Sequence, residues 1–259
     1  MKAVFLGTGT SAGVPVIGCA CAVCRSSDPK NRRRRTSLYL SAGGTHLVVD
    51  TPPDFRDQAL EYGIERVDAV LFTHAHADHI FGFDDIRRFN TMQGEVIPAF
   101  APPATVEHLR RVFDYISTEE EPGVYRPLIE FVGVEGPFEV GAFRVEPLPV
   151  RHDPRGRPTV GYLVSEEGRS IGYVPDCVEM SDAVIERLRG VDVMVLDALR
   201  VHPPHMSHFT VDESVEVLRR IGAGKSFLIH MCHDLDHEET NRLLPDGISL
   251  SYDGMTLDW

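Results

Sequence analysis

Four side chains able to bind a metal fall within six residues, in the run His74-Ala75-His76-Ala77-Asp78-His79. The run follows an apolar, strand-like stretch at residues 69–73. Ligands packed this closely past a strand end cannot all point the same way. One subset can therefore hold one ion while the rest hold a neighbour, and mixed imidazole and carboxylate ligation suits Zn, Mn, Fe, Co or Ni. A lone histidine would read as part of a solvated polar loop, but three with an aspartate in this spacing do not. A second group is Cys19, Cys21 and Cys24, which brings three thiols within reach of one ion. A structural zinc needs four closed ligands, and His233, three residues after His230, is the best candidate for the fourth. The competing reading of these cysteines is small buried side chains with weak thiols.

The elements that must position these groups are short. Strands are predicted at residues 3–6, 37–40, 46–49, 69–72, 143–148, 161–164, 171–174, 193–196 and 227–229, with Gly43-Gly44 as a hairpin turn. Helices are predicted at 54–62, 104–115, 181–189, 211–220 and 238–244, with Ser181 and Thr210 as N-caps. Strands outnumber helices, and the helices fall between groups of strands. That pattern predicts an α/β protein, an αββα sandwich of two mixed sheets with outer helices, as one domain over 1–259. The 259 residues carry 42% hydrophobic and 25% charged side chains, ordinary for a globular protein. The formal charge of −13 argues against a sequence-independent grip on nucleic acid. Bound cations can still make a cleft locally positive. No apolar run is long enough to span a membrane, and the apolar start of the chain is too short for a signal peptide. An odd count of five cysteines with tight spacing fits a metal knot in a reducing compartment, hence a cytoplasmic protein.

The pattern His74-x-His76-x-Asp78-His79 resembles the HxHxDH signature of the metallo-β-lactamase superfamily. The resemblance extends along the chain: that family adds a histidine, an aspartate and a last histidine after later strands. His152, Asp176 and His230 stand at those places, each just after a predicted strand, where open α/β architectures gather their sites. It implies one divalent ion on His74, His76 and His152, a second on Asp78, His79 and His230, and Asp176 bridging them. Zn or Mn, and also Ni, fit this catalytic pair. The segment Gly7-Thr8-Gly9-Thr10, then Gly13-Val14-Pro15 and the cysteine knot, is similar to the PhnP branch, whose members are cyclic phosphate phosphodiesterases. That likeness implies a structural Zn on Cys19, Cys21, Cys24 and His233, in an insertion at about 15–35. The PqqB branch carries such a knot but lacks an intact HxHxDH.

The expected activity is therefore hydrolysis of small cyclic phosphates, such as ribosyl 1,2-cyclic phosphate or 2′,3′-cyclic nucleotides. Two ions can supply a bridging hydroxide and contacts to phosphoryl oxygens. The leaving oxygen needs a proton, and His202, His205 and His208 share the loop after residues 193–196. The resemblance selects His208, just before the Thr210 cap, as general acid, with His205 as its understudy at the substrate. Arg155 and Arg157 could grip a non-reacting phosphate, as could the run Arg32 to Arg35, although arginine runs are usually solvated faces. Cys177, beside Asp176, reads as a packing residue. Other readings of the same ligands are an RNA-processing nuclease, a thioester or lactam hydrolase, and a PqqB-like accessory protein. The nuclease reading lacks the inserted basic arm of the tRNA 3′-end enzymes. Superfamily relatives are often dimers, so a homodimer is an expectation of the resemblance.

Overall fold

The computed structural model describes residues 1–119 and 122–259. Its first part contains β1 (Lys2–Gly7), β2 (Ser37–Ala42), β3 (Thr45–Val49), α1 (Phe55–Glu61), β4 (Ala69–Leu71), α2 (Ala77–Ile80) and α3 (Ile86–Gln93). β5 (Ile97–Ala101), α4 (Pro103–Val112), β6 (Ile129–Gly133), β7 (Phe138–Val140), β8 (Phe143–Val150), β9 (Thr159–Glu166) and β10 (Arg169–Val174) follow. The chain closes with α5 (Asp182–Arg187), β11 (Val193–Asp197), α6 (Val211–Ile221), β12 (Lys225–Ile229), α7 (His237–Leu243), β13 (Ile248–Leu250) and β14 (Thr256–Asp258). Two seven-stranded sheets result, ordered β14-β1-β2-β3-β4-β5-β6 and β13-β12-β11-β10-β9-β8-β7.

Both sheets are mixed, and both are covered on both faces. In β2, Leu38 and Leu40 pack into the layer between the sheets with Tyr162, Tyr173, Phe227 and Ile229. Tyr39, one pleat over, faces the outer layer with Phe55 of α1, Phe89 of α3 and Leu109 of α4. On the opposite outside, Leu196 and Leu228 meet Val184 and Leu188 near α5 and Val215 and Leu218 of α6. Burial on two sides explains why the central strands read as unbroken apolar runs. The predicted αββα sandwich is the observed architecture.

Local chemistry sets the element ends. Gly43 and Gly44, at φ +55° and +79°, turn β2 into β3 with Ala42 opposite Thr45. Thr210 and Glu213 form a reciprocal capping box at α6, and the Ser181 hydroxyl accepts from Val184 N–H at α5. Gly7 lies so close to the chain beside it that a Cβ would stand 2.0 Å from the Arg35 carbonyl oxygen, which explains the glycine there. The predicted helix at 104–115 is shifted to Pro103–Val112 because Pro103 takes the first helical position. Strands β5, β6, β7, β13 and β14 and helices α2 and α3 lie outside the predicted set. Pro98 inside β5 masks a strand that pairs on both sides, and β7, β13 and β14 are three residues each. Among the described residues no helix is long and apolar enough to cross a membrane.

Candidate metal centre

The anticipated ligands converge where the C-terminal ends of strands from both sheets meet. His74 follows β4, His76 caps α2, and Asp78 and His79 ride on that helix. His152, Asp176 and His230 follow β8, β10 and β12 of the other sheet. Asp176 sits between two sets. Its Oδ2 is 3.7 Å from His74 Nε2 and 3.5 Å from His152 Nε2, and His76 Nδ1 is 3.1 Å from His152 Nε2. Its Oδ1 is 3.4 Å from His79 Nε2 and 3.1 Å from His230 Nδ1, while Asp78 Oδ2 is 3.5 Å from His79 Nε2. Ligand atoms about 2.0–2.2 Å from a shared ion stand roughly 3.0–3.5 Å apart, so each set has the spacing of a coordination sphere. His74 Nε2, His79 Nε2 and Asp176 Oδ1 are buried and hydrogen-bond to nothing in the protein. Three such orphans pointing at one another are what metal ligands look like without the ion, and the donor set fits two divalent cations.

The electrostatics agree. Burial, with His79 adding to it, holds His74 well below the usual imidazole range, and burial takes His230 down to about 3. Both rings are thus neutral, the form that ligates. Burial opposes charge on His79 too, yet Asp176, Asp78 and Asp50 outweigh it and raise the ring well above its ordinary value. Three carboxylates at one ring create a field that draws a cation.

Backbone and second-layer groups aim these rings. Asp50 is wholly buried at the end of β3 and accepts His79 Nδ1–H at 2.7 Å, Thr73 N–H at 2.9 Å and the Thr73 hydroxyl at 2.8 Å. The Thr73 oxygen in turn stands 3.0 Å from His74 Nδ1, and His152 Nδ1 donates to the Ser207 carbonyl at 2.8 Å. These contacts fix which nitrogen each ring turns inward. Asp50 and His230 both adopt φ +61°, a left-handed conformation that non-glycine residues seldom take outside functional sites. Asp50 had no place among the predicted site residues; its signal was an acid at a strand end, before Thr51-Pro52-Pro53. Because asparagine tolerates a left-handed backbone, Asp50→Asn removes the charge and leaves the chain path. It is expected to weaken metal affinity by about 10- to 100-fold, measured by competition with a chromophoric chelator. Unchanged affinity would show that His79 is held without this carboxylate.

His208 lies against both sets without belonging to the anticipated seven. Its ring stacks on His230 at 4.8 Å and is 4.7 Å from His152, and its Nδ1 donates to Asp197 Oδ2 at 2.8 Å. Burial works against a charged His208, but the Asp197 carboxylate outweighs it and lifts the imidazole to about 9. Asp197, fully buried at the end of β11, is a second residue the spacing did not announce. His205 stands farther out, 5.2 Å from His208, with its Nδ1 accepting Ser207 N–H.

The cysteine knot is assembled as anticipated. The sulfurs of Cys19, Cys21 and Cys24 lie 3.2, 3.4 and 3.6 Å from His233 Nδ1. Tetrahedral zinc with bonds of about 2.3 Å to sulfur and 2.0 Å to nitrogen places such atoms roughly 3.5 Å apart. The Cys24 N–H aimed at its sulfur leads the contacts that bring the Cys21 thiol down to about 6, toward the thiolate a metal takes. Of the four arginines behind the knot, Arg32 is exposed and the other three are engaged within the protein. Arg33, 1% exposed, donates to the carbonyls of Cys232 and Leu235, while Arg34 pairs with Glu61 and Arg35 with Asp54. Cys177 is buried in the packing beneath α5.

A cleft of about 460 Å³ opens beside His74 and His76. Arg157 lines it, together with His108 and Arg111 of α4. Arg155 lies outside the lining with its side chain exposed, and its backbone N–H caps Asp153 at 2.6 Å.

The β-lactamase superfamily domain model matches residues 45–231, and the chain belongs to the metallo-β-lactamase superfamily. Within it the chain belongs to the PhnP branch. A crystal structure of a new diphosphatase from the PhnP family superposes with a TM-score of 0.90 at 41% identity, over 100% of this chain and 97% of that one. Zn(2+)-bound PqqB from Methylobacterium extorquens shares the fold, with a TM-score of 0.83 at 21% identity and full coverage of both chains. An octanoyltransferase of Porphyromonas gingivalis is 36% identical over 261 residues, 98% of this chain but 51% of that protein. The chain thus spans about half of that relative's length. The protein is a metal-dependent hydrolase of this superfamily.

Proposed function

We propose that this hydrolase is a phosphodiesterase for small cyclic phosphates, of the ribosyl 1,2-cyclic phosphate or 2′,3′-cyclic nucleotide class. The observation that carries the reading is His208, a histidine outside the seven ligands, oriented by Asp197 and lying against both ligand sets. Divalent ions bound there supply Lewis-acid stabilisation of phosphoryl charge and acidify the attacking water. The chain's own residues do the rest. Asp176 and the histidines of both sheets hold the reacting phosphate's surroundings rigid. Asp197 keeps Nδ1 of His208 protonated and the ring aimed. As the bond from phosphorus to the sugar oxygen breaks, His208 gives that oxygen the proton on Nε2. A cleft of about 460 Å³ suits a small ligand rather than a folded RNA.

A second reading, cleavage of a diphosphate bond, is favoured by the 41% identity to a PhnP-family diphosphatase over the whole chain. The same acid would then protonate a phosphate leaving group. Turnover of bis(p-nitrophenyl) phosphate, 2′,3′-cyclic AMP and a dinucleoside diphosphate by metal-replete protein separates the two. Hydrolysis of the first two, lost on chelation and restored by Mn or Zn, is the expected result. Activity confined to the diphosphate would select the second reading, and no activity on any of them would reject both. In the same assay His208→Ala should lower kcat by roughly 10²–10⁴ with metal content unchanged. A wild-type rate would move the proton to His205 or to water.

A further inference from the structure

The loop between β11 and α6 brings a second imidazole to the metal centre, and the chemistry assigned to His208 leaves it idle. The loop is pinched at its base, where Leu199 N–H donates to the Phe209 carbonyl and Val211 N–H to the Arg200 carbonyl. Arg200 also holds its tip, with Nε donating to the Pro203 carbonyl at 2.8 Å. Ser207 is the pivot. Its carbonyl accepts Nδ1–H of His152 at 2.8 Å, and its N–H donates to His205 Nδ1 at 3.2 Å. His205 is therefore seated on the same buried residue that aims His152, with its ring 5.2 Å from that of His208.

The Ser207 contact fixes the tautomer. Because Nδ1 accepts, the proton of the neutral ring sits on Nε2, on the edge turned away from that contact. Burial first, then the charges of His208 and Arg200, hold this imidazole below its ordinary value, so it stays neutral at pH 7. Among the described residues no oxygen accepts Nε2–H. His205 thus offers an uncharged donor, its one accepting atom already used, beside the group that protonates the leaving oxygen.

We infer that His205 is a specificity residue whose Nε2–H donates to the furanose ring oxygen of the leaving sugar. The inference rests on the phosphodiesterase reading of the adjacent centre and deepens it. A ring ether oxygen carries no charge and only accepts, which matches a neutral group that only donates. The charged phosphoryl oxygens are drawn instead to the cations. In a 2′,3′-cyclic nucleotide the ring oxygen is bonded to the carbon next to each one that bears an ester oxygen, within reach of a ring beside His208.

The test uses the full metal-replete chain with 2′,3′-cyclic AMP and its carbocyclic analogue, in which a methylene replaces the furanose oxygen. The wild type should prefer the furanose ester by about 5- to 10-fold in kcat/KM, the scale of one hydrogen bond. His205→Ala should collapse that preference to within about twofold, and His205→Gln, whose amide still donates, should keep part of it. No preference in the wild type overturns the assignment. So does a His205→Ala enzyme that is slower on both esters yet keeps the preference, since the ring would then serve only its own loop. If the wild type cleaves neither ester, the phosphodiesterase reading fails on its own. Calorimetric binding of adenosine 3′-phosphate and its carbocyclic analogue then decides the role of His205. The wild type should bind the furanose compound about 5- to 10-fold more tightly and His205→Ala should bind the two alike; equal affinities in the wild type, or a difference that survives in His205→Ala, overturn the inference.

Discussion

Asp176→Ala is expected to lower turnover by at least about 10³-fold, roughly 4 kcal/mol of barrier, and to reduce the metal bound per chain. The reason lies in how this carboxylate is shared. Oδ2 faces His74 and His152, whereas Oδ1 faces His79 and His230. Alanine removes one ligand from each set in a single change. It also leaves a fully buried pocket of imidazoles with less negative charge to set against bound cations. His79 should feel this most, since Asp176 is the strongest of the three carboxylates that raise it. Metal analysis of dialysed protein and the bis(p-nitrophenyl) phosphate rate read the two consequences separately. A variant that kept both ions and full activity would show that the two sets are independent, and the bridging assignment would be wrong.

Cys21→Ser is expected to cost about one tightly held zinc per chain and to lower Tm by roughly 10 °C, given several kcal/mol of metal-coupled stability at this size. The sulfur is one of three around His233 Nδ1, and a serine hydroxyl ligates zinc poorly. What the knot fastens makes the loss felt elsewhere. Thr10 N–H donates to the Met231 carbonyl and Met231 N–H to the Thr8 carbonyl, so the glycine-rich segment is zipped to the residue after His230. Arg33 clamps the carbonyls of Cys232 and Leu235 from the same side. Freed from His233, the 15–35 segment no longer braces the left-handed turn at His230, and activity should fall together with stability. Unchanged zinc content in the purified variant would remove the structural site.

What could be read from the chain alone follows from how local the signals are. The run from His74 to His79 compresses four ligands into a pattern with few other uses, and the family resemblance it carries implied the order in which His152, Asp176 and His230 appear. Most of the nine predicted strands were visible because burial on both faces leaves uninterrupted apolar residues, whereas β8 shows a period-two alternation with Arg144 exposed between buried Phe143 and Val145. Asp50 and Asp197 were not visible. Each is a single aspartate whose role depends on a ring delivered from another part of the chain, His79 across 29 positions and His208 across 11. The edge strands β7, β13 and β14 are three residues each, and no periodicity can be read from so few.

The seam between the two sheets carries one more consequence. Each metal position draws from both sides of it: His74 and His76 with His152 and Asp176, and Asp78 and His79 with His230 and Asp176. Bound ions are thus rivets through the sandwich, on top of the apolar layer that glues it. A sideways slip of one sheet by an ångström would strain the interlocked apolar layer, whose non-directional contacts can be partly recovered by repacking side chains. The same slip would pull a coordination sphere out of shape, since bond lengths there tolerate only a few tenths of an ångström. Metal retention is therefore a finer gauge of sheet alignment than thermal stability.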